Sequence, residues 1–390
     1  MPTPTPSPTF AVTGDGVLTI GSLFPTSGTF SFIGAGQVAG VEAAVREINA
    51  AGGVNAQPVV VFHRNSGDTS TETAEASFAD LLTKSTDVVI GPSSSALAAR
   101  LVKSAVAAGV PFISPAATLE SLTTLDDSGL VFRTIGNYQD QGAALAKAIA
   151  AADLKSVAYV YVDGAEGEAL LARLTTAAEL EGLTLDYEKS FSAKTTNFAS
   201  IVTQITKAEP DAIVISSPAD ASSATKALIT ALSAAKLGGA KLWLTSQNLA
   251  DYSQALPAGM LDKANGVLEG ATPDAAFIAK LKQADPSLSS YRYAEEAYDA
   301  TIMAALAATI AGDDGGPAVA RLLPSVSTGG IKCTSYGECL DVLTTESDID
   351  YDGISGPLNF TSDGDVTSAS WGVYVYGAGN TYSFVRTIVY

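Results

Sequence analysis

The sequence predicts an α/β protein of two doubly wound lobes, and three observations lead there. Strand-like and helix-like segments alternate almost without a break from Val17 to Thr245. The short runs Val59-Val-Val-Phe62 and Val88-Val-Ile90 are apolar throughout, as strands of a parallel sheet covered by helices on both faces are. After Asp274 helical patterns take over to about Ser327, and strand patterns return at the end, so the chain revisits both lobes.

The elements follow in order. Val17–Phe24 reads as a strand ended by Pro25, and Gly36–Ala50 as a helix with Val38, Val41, Val45 and Ile48 on one face, closed by Gly52-Gly53. Pro58–His63, Asp87–Gly91 and Val110–Ser114 read as strands, with helices at Thr71–Thr83 and Ser94–Ala108. A second series sets strands at Ser156–Val162, Thr184–Ser190, Asp211–Ser216 and Lys241–Thr245. Its helices are Gln139–Ala152, Glu168–Glu181, Phe198–Lys207 and Ala221–Leu237. Trp371–Tyr376 and Tyr382–Val389 alternate as a hairpin around Gly377–Asn380. No short-period repeat is present.

Composition narrows function. The chain has 390 residues, enough for two or three domains, with a net charge of −19, one histidine and two cysteines. A field this negative repels phosphate backbones and anionic lipid headgroups, which argues against nucleic acid and membrane surfaces. One His and two Cys fall short of the usual zinc ligand set. The opening MPTPTPSPTF reads as an extended tether, either an expression remnant or a spacer from a cell envelope, and not as a signal peptide. The longest apolar helical run, Ala300–Ala311, is well short of the roughly 20 residues of a membrane span. Cys333-Thr-Ser-Tyr-Gly-Glu-Cys339 suits a local disulfide, with two buried thiols the alternative. The disulfide points to an oxidising compartment and to a pinned surface excursion on which the fold depends little.

Gly34-Ala-Gly36-Gln-Val-Ala39 matches the letter of a dinucleotide fingerprint, but Pro25 to Ile33 separate it from the strand. The following strand also ends in Phe62-His63-Arg64 without the ribose-binding acid. An NAD-dependent enzyme therefore stands as the alternative from another class, and a tightly packed helix as the plain reading. His63 with Ser93, Ser94 and Ser95 raises a hydrolase, without a nucleophile elbow to support it. More informative are Gly91-Pro-Ser-Ser-Ser95 and Ser114-Pro-Ala-Ala-Thr118, two loops at strand C-terminal ends. There, free N–H groups and hydroxyls make either an uncharged cradle for a carboxylate or ordinary helix caps.

These residues carry a resemblance. The chain resembles the type I solute-binding proteins of ABC importers, in the branch that binds leucine, isoleucine and valine. The matching segments are Pro25-Thr-Ser-Gly28, Glu47-Ile-Asn-Ala-Ala-Gly-Gly53, Val89-Ile-Gly91 with its serines, Ile113-Ser-Pro-Ala-Ala-Thr118, Phe132-Arg-Thr134 and Asp140-Gln-Gly142. Asn197-Phe198, Pro210-Asp211 and Ser355-Gly-Pro-Leu358 continue them in order. The resemblance implies two lobes closing on a solute, joined by crossovers near Gly136, Gly270 and Gly356. Residues 1–15 would be the linker, 16–136 with 271–356 one lobe, and 137–270 with 357–390 the other. It further implies a monomeric, extracytoplasmic and lipid-anchored or periplasmic binder, no enzyme and no cofactor, that hands its solute to a membrane permease. A ligand-sensing module of the same fold, uncoupled from transport, is the alternative.

By the same resemblance Ser95, Ala116 and Thr118, with Ala117 beside them, hold the carboxylate of an amino-acid ligand. The ammonium side departs from the family. Gln247 stands where its acid belongs, Pro218 where an aromatic belongs, and Glu166 near its tyrosine. An aromatic of the first loop aligns with Ile33, next to Phe30 and Phe32. Phe32 and Tyr138 complete the implied contact set. Burying an unpaired ammonium costs several kcal/mol or more, so either Glu166 is the counter-ion or the solute carries no ammonium.

Overall fold

The computed structural model describes residues 14–28, 30–218 and 222–390. The chain divides into two compact units: the segment up to Gly136 with Gly270–Ala369, and Asn137–Glu269 with Ser370–Tyr390.

The first unit opens with strands β1 (Thr19–Phe24), β2 (Val60–Asn65), β3 (Val88–Ile90), β4 (Phe112–Ser114) and β5 (Val131–Arg133), and helices α1 (Ser31–Ala50), α2 (Thr73–Leu82) and α3 (Ser95–Ala108). The strands form one parallel sheet in the order β2-β1-β3-β4-β5. Its interior members β1, β3 and β4 are buried at every residue, although only β3 is apolar throughout, and the buried Ser22 and Ser114 are hydrogen-bonded; the apolar run of β2, by contrast, lies at the sheet edge, exposed or half-buried.

The second unit repeats the plan with β6 (Ser156–Val162), β7 (Thr184–Phe191), β8 (Ala212–Ser216), β9 (Leu242–Leu244) and β10 (Asn265–Glu269). Its helices are α4 (Gln141–Ala150), α5 (Ala165–Leu180), α6 (Ala199–Ala208) and α7 (Ser222–Ala234).

The chain then returns to the first unit with α8 (Ala275–Ala284), α9 (Ala294–Ala311), α10 (Gly316–Val326), β11 (Ile331–Cys333), α11 (Tyr336–Leu343), β12 (Ile349–Gly353) and β13 (Gly356–Pro357), the three strands forming a small sheet. It ends in the second unit with the antiparallel pair β14 (Ser370–Tyr376) and β15 (Tyr382–Val389), completing the order β15-β14-β10-β9-β8-β6-β7. Both parallel cores thus have the 2-1-3-4-5 winding, with direction reversing between β1 and β3 and between β6 and β8. None of the described helices is long and apolar enough to cross a membrane.

Four differences from the sequence reading bear on function. Helix α1 begins at Ser31, not Gly36, so Gly34, Gly36 and Ala39 lie inside it and no phosphate-binding turn is formed. A Cβ on Gly34 would sit 1.9 Å from the Pro25 carbonyl oxygen, and one on Gly36 2.9 Å from that of Ser290. These glycines are there for close packing. Helix α9 extends the Ala300–Ala311 run by a polar turn holding buried Glu295, Glu296 and Asp299.

The third passage between units falls after Ala369, not near Gly356. Leu358, Phe360, Val366 and Ala369 are buried in the first unit's core, and Arg133 donates its N–H to Gly364 O at 3.0 Å, which holds 357–369 there. Finally, Cys333 and Cys339 are bonded and fully buried in the same core beside Tyr336 and Tyr351, so the bridge pins no surface excursion. Residues 1–13, where the tether reading lies, are outside the described residues.

Candidate functional site

In the first unit the candidate residues sit where β3 and β4 end. Gly91 leaves β3 at φ +113, with a Cβ position only 2.5 Å from Leu23 O, so only glycine fits that turn. Ser94, in extended backbone, caps α3 by accepting from Leu97 N at 3.4 Å. Ser95 is the first helical residue, buried, and its Oγ accepts from Leu119 N at 3.1 Å. That bond ties the two serine- and threonine-bearing loops together. An accepting hydroxyl keeps its own proton to donate.

The second loop is braced from within. Ser114 Oγ donates to Pro92 O at 2.6 Å and accepts from Ala117 N at 3.1 Å. Arg133, 2% exposed, donates to the carbonyls of Ala117 at 3.3 Å and Leu119 at 2.9 Å, and pairs with Asp365 at 2.5 Å. Ala117 is therefore buried with both peptide groups occupied; Ala116 and Thr118 are half-buried, and the Ala116 N–H also donates to Ser114 Oγ, at 3.5 Å. A cradle held this firmly presents its remaining donors without rearrangement.

Phe32 is 57% exposed at the start of α1; it is Ile33 that packs, with Ile135 and Tyr293, against Ala116. Tyr293 was not legible in the sequence. It caps α9 in the left-handed region at φ 63, an outlying conformation for an aromatic residue, with the Arg292 guanidinium 4.8 Å from its ring centre. No sequence signal marks a tyrosine that will take this conformation.

In the second unit the candidates again hang from strand C-terminal ends. Glu166, exposed in the first turn of α5 just past β6, accepts from Gln247 Nε2, just past β9, at 3.1 Å. The structure thus brings Glu166 and Gln247, both singled out in the sequence, into contact. Tyr138 is buried in a short 3-10 turn, and burial pushes its hydroxyl up to about 12 despite hydrogen bonds with Ser216 and Thr245. Tyr159 stacks on Tyr161 with ring centres 5.1 Å apart and donates to Gly167 O at 3.0 Å.

Pro218, past β8, lines a cavity of about 220 Å³ with Gln247, Thr225, Lys226, Ala250 and Tyr252. Behind it lies a polar network. Asn248 Nδ2 donates to Ile215 O and Ser217 Oγ, both at 3.0 Å, while Asn248 Oδ1 accepts from Thr245 Oγ1 at 3.1 Å.

Chemically, the first unit offers uncharged hydroxyl and N–H donors suited to a carboxylate, and the second a carboxylate, an amide and a partly apolar cavity. His63 does not complete a nucleophilic set. Its ring nitrogens lie 2.6 Å from Ser22 Oγ and 2.7 Å from Glu42 Oε1, and Ser22 is fully buried within β1.

A model of the periplasmic binding protein family matches residues 17–379. The chain is 29% identical to the chemotactic signal transduction system substrate-binding protein BasB of Halobacterium salinarum, covering 88% of this chain and 84% of that one. Among solved structures it is similar to the branched-chain amino acid transporter substrate-binding protein LivJ of Streptococcus pneumoniae in complex with isoleucine. The TM-score is 0.65 at 19% identity, over 96% of this chain and 99% of that chain. It is also similar to the solute-binding protein of an ABC transporter from Rhodopseudomonas palustris in complex with p-hydroxybenzoic acid. There the TM-score is 0.63 at 17% identity, over 95% and 97% of the two chains.

Proposed function

The chain belongs to the periplasmic binding protein family, whose members bind solutes outside the cytoplasm, and from that premise we propose that it is the substrate-binding protein of an ABC importer for a small carboxylate or amino-acid-like solute. One observation carries the reading of the ligand. The loops after β3 and β4 are locked to each other by the Ser95–Leu119 bond and braced by Arg133, with uncharged donors left over at strand C-terminal ends.

On this reading Ser95, Ala116 and Thr118 take the carboxylate. Glu166, held by Gln247 in the second unit, is the candidate acceptor for an ammonium or hydroxyl of a solute. Tyr138 and Phe32 supply aromatic surface. The protein works as a monomer with a membrane permease as partner, uses no cofactor and catalyses nothing. The buried Cys333–Cys339 bridge supports an oxidising location, and anchoring through the N-terminal Pro/Thr segment fits a cell-surface placement.

Thermal shift followed by calorimetry over amino acids, small carboxylates, amides and polyols tests the proposal. A true solute raises stability by mass action, about 2.7 kcal/mol at a hundred times its Kd. Ser95→Ala with Thr118→Ala is expected to weaken the hit at least about 30-fold, the loss of two hydrogen bonds to a charged group. Unchanged affinity in that double variant overturns the carboxylate site. A second reading, in which the bound state is reported to a chemotaxis receptor, is favoured by the BasB likeness. Deleting the gene and comparing solute uptake with chemotaxis separates the two.

A further inference from the structure

The string Gly34-Ala-Gly36-Gln-Val-Ala39-Gly40 forms no phosphate-binding turn, yet it buries one polar side chain completely. Gln37 lies in the second turn of α1 and is 0% exposed. Burying an amide costs free energy unless it is hydrogen-bonded, and an apolar residue at such a place meets no such cost. Both ends of the Gln37 amide are bonded. Its Nε2 donates to Ile33 O at 3.2 Å, and its Oε1 accepts from the buried Ser93 hydroxyl at 2.6 Å. A fully satisfied buried pair of this kind fixes a geometry more than it adds stability.

What it fixes is the serine loop after β3. The neighbouring residues of that loop are tied elsewhere. Gly91 N donates to Ile113 O at 2.9 Å, Ser114 Oγ donates to Pro92 O at 2.6 Å, and Ser94 caps its own helix. Ser93 ties the loop to α1. The same stretch of α1 reaches the second loop, where Ile33 packs with Ile135 and Tyr293 against Ala116. The Gln37–Ile33 bond joins these two contacts, so one end of α1 touches both loops that carry Ser95, Ala116 and Thr118. That end is firmly seated. A Cβ on Gly36 would lie 2.9 Å from Ser290 O and one on Gly40 2.2 Å from Ala294 O, so α1 rests directly on neighbouring backbone there, as it does on Pro25 through Gly34.

We propose that Gln37 is a positioning residue of the candidate carboxylate site: it holds the serine loop in register with the start of α1, so that Ser95 keeps its place relative to Ala116 and Thr118. The inference rests on the solute-binding reading above and adds the residue that sets the geometry of the first unit's loops. The string that imitates a dinucleotide fingerprint is then a seat for two binding loops, its glycines giving close approach and its glutamine the register.

A double-mutant cycle on the intact protein tests it, read by calorimetry, by melting temperature and by hydrogen exchange without solute. Gln37→Met keeps the side-chain volume and removes both bonds. Ser93→Ala removes the partner hydroxyl. The probes are alanine, isoleucine, glutamate, acetate, glutarate and 4-hydroxybenzoate. For those that bind the wild type, each single variant is expected to weaken affinity about 10-fold and to speed amide exchange across Gly91–Leu97 about 10-fold. Each also lowers the melting temperature, because a buried partner is left unsatisfied. Combining the two removes both polar groups, so the melting temperature recovers while affinity and loop exchange stay at the single-variant level. A Gln37 that only stabilises the fold would lower the melting temperature and leave affinity and loop exchange at wild-type values. That result, or an affinity that recovers in the double variant, overturns the inference and leaves solute binding intact. Should Gln37→Met fail to fold, Ser93→Ala cuts the same bond and decides by the same readouts. Failure of every probe to bind the wild type overturns the solute-binding reading itself, and the positioning role with it.

Discussion

Replacing Glu296 by glutamine is predicted to stabilise the protein at neutral pH and to do nothing in mild acid. Glu296 lies in the first turn of α9, fully buried. Its Oε1 accepts from Ala271 N at 2.6 Å and its main-chain carbonyl accepts from Thr134 Oγ1 at 2.8 Å, which attaches the segments next to two of the three unit boundaries to this helix. Its Oε2 has no hydrogen-bond partner among the described residues. Burial, with the nearby Asp299 carboxylate adding, pushes the Glu296 carboxyl up to about 8 from its ordinary 4.5, against the Ala271 hydrogen bond and Arg292. The unfolded chain ionises this group above about 4.5, so folding at pH 7 must return a proton to it. Stability linked to Glu296 is therefore full below 4.5 and is lost as pH rises through about 8. From pH 4.5 to pH 7 the loss is about 3 kcal/mol, at 1.36 kcal/mol per pH unit. Glutamine keeps the oxygen that accepts from Ala271 and carries no titrating proton. Denaturant melts of wild type and Glu296→Gln at pH 4.5, 6, 7 and 8 should show the variant ahead by about 3 kcal/mol at pH 7, shrinking to near zero at pH 4.5. A gap that is absent at pH 7, or that does not close toward pH 4.5, refutes the assignment of a protonated Glu296.

Asp365→Asn strips the buried Arg133 of its carboxylate and should destabilise the protein by roughly 3–5 kcal/mol in a denaturant melt. Because Arg133 also holds the Ala117 and Leu119 carbonyls, solute affinity should fall in the same variant, read by calorimetry. Gly34→Ala forces a methyl onto the Pro25 carbonyl and should cost at least about 3 kcal/mol, while NAD should leave the wild-type melting temperature unmoved. Tyr293→Ala removes the ring that packs beside Ile33 and Ala116. It should weaken solute binding about 10-fold or more in calorimetry while the protein still melts cooperatively.

Much of the fold was legible because it rests on periodicity. Strands β6 and β15 and the C-terminal end of α1 coincide with their sequence bounds, since apolar runs and glycine stops mark them directly. The start of α1 was hidden because Ser31, Phe32 and Ala35 face solvent and give no apolar stripe until Val38. The acidic turn of α9 was hidden for the opposite reason. Three carboxyls in sequence read as a solvated face, and only burial shows that Tyr351 and Ser355 close over Asp299. The crossing after Ala369 depends on the Arg133–Asp365 pair, a contact across most of the chain that no local pattern encodes.

The candidate site divides along the same line, for a chemical reason. On the proposed reading, carboxylate recognition by N–H groups and short hydroxyls needs the backbone in a fixed path, so the first unit carries its candidates in compact strings of Gly, Pro, Ser and Thr that are readable in order. Recognition of whatever else a solute carries needs long side chains brought together from separate strand ends. Glu166 and Gln247 are 81 positions apart and meet only because β6 and β9 both belong to one parallel sheet. The cavity beside Pro218 is less legible still, because its lining joins residues near Pro218 and Thr225 to others between Gln247 and Ala255. On the proposed reading, the legible half recognises what solutes of this class share, and the half that only the fold assembles selects among them.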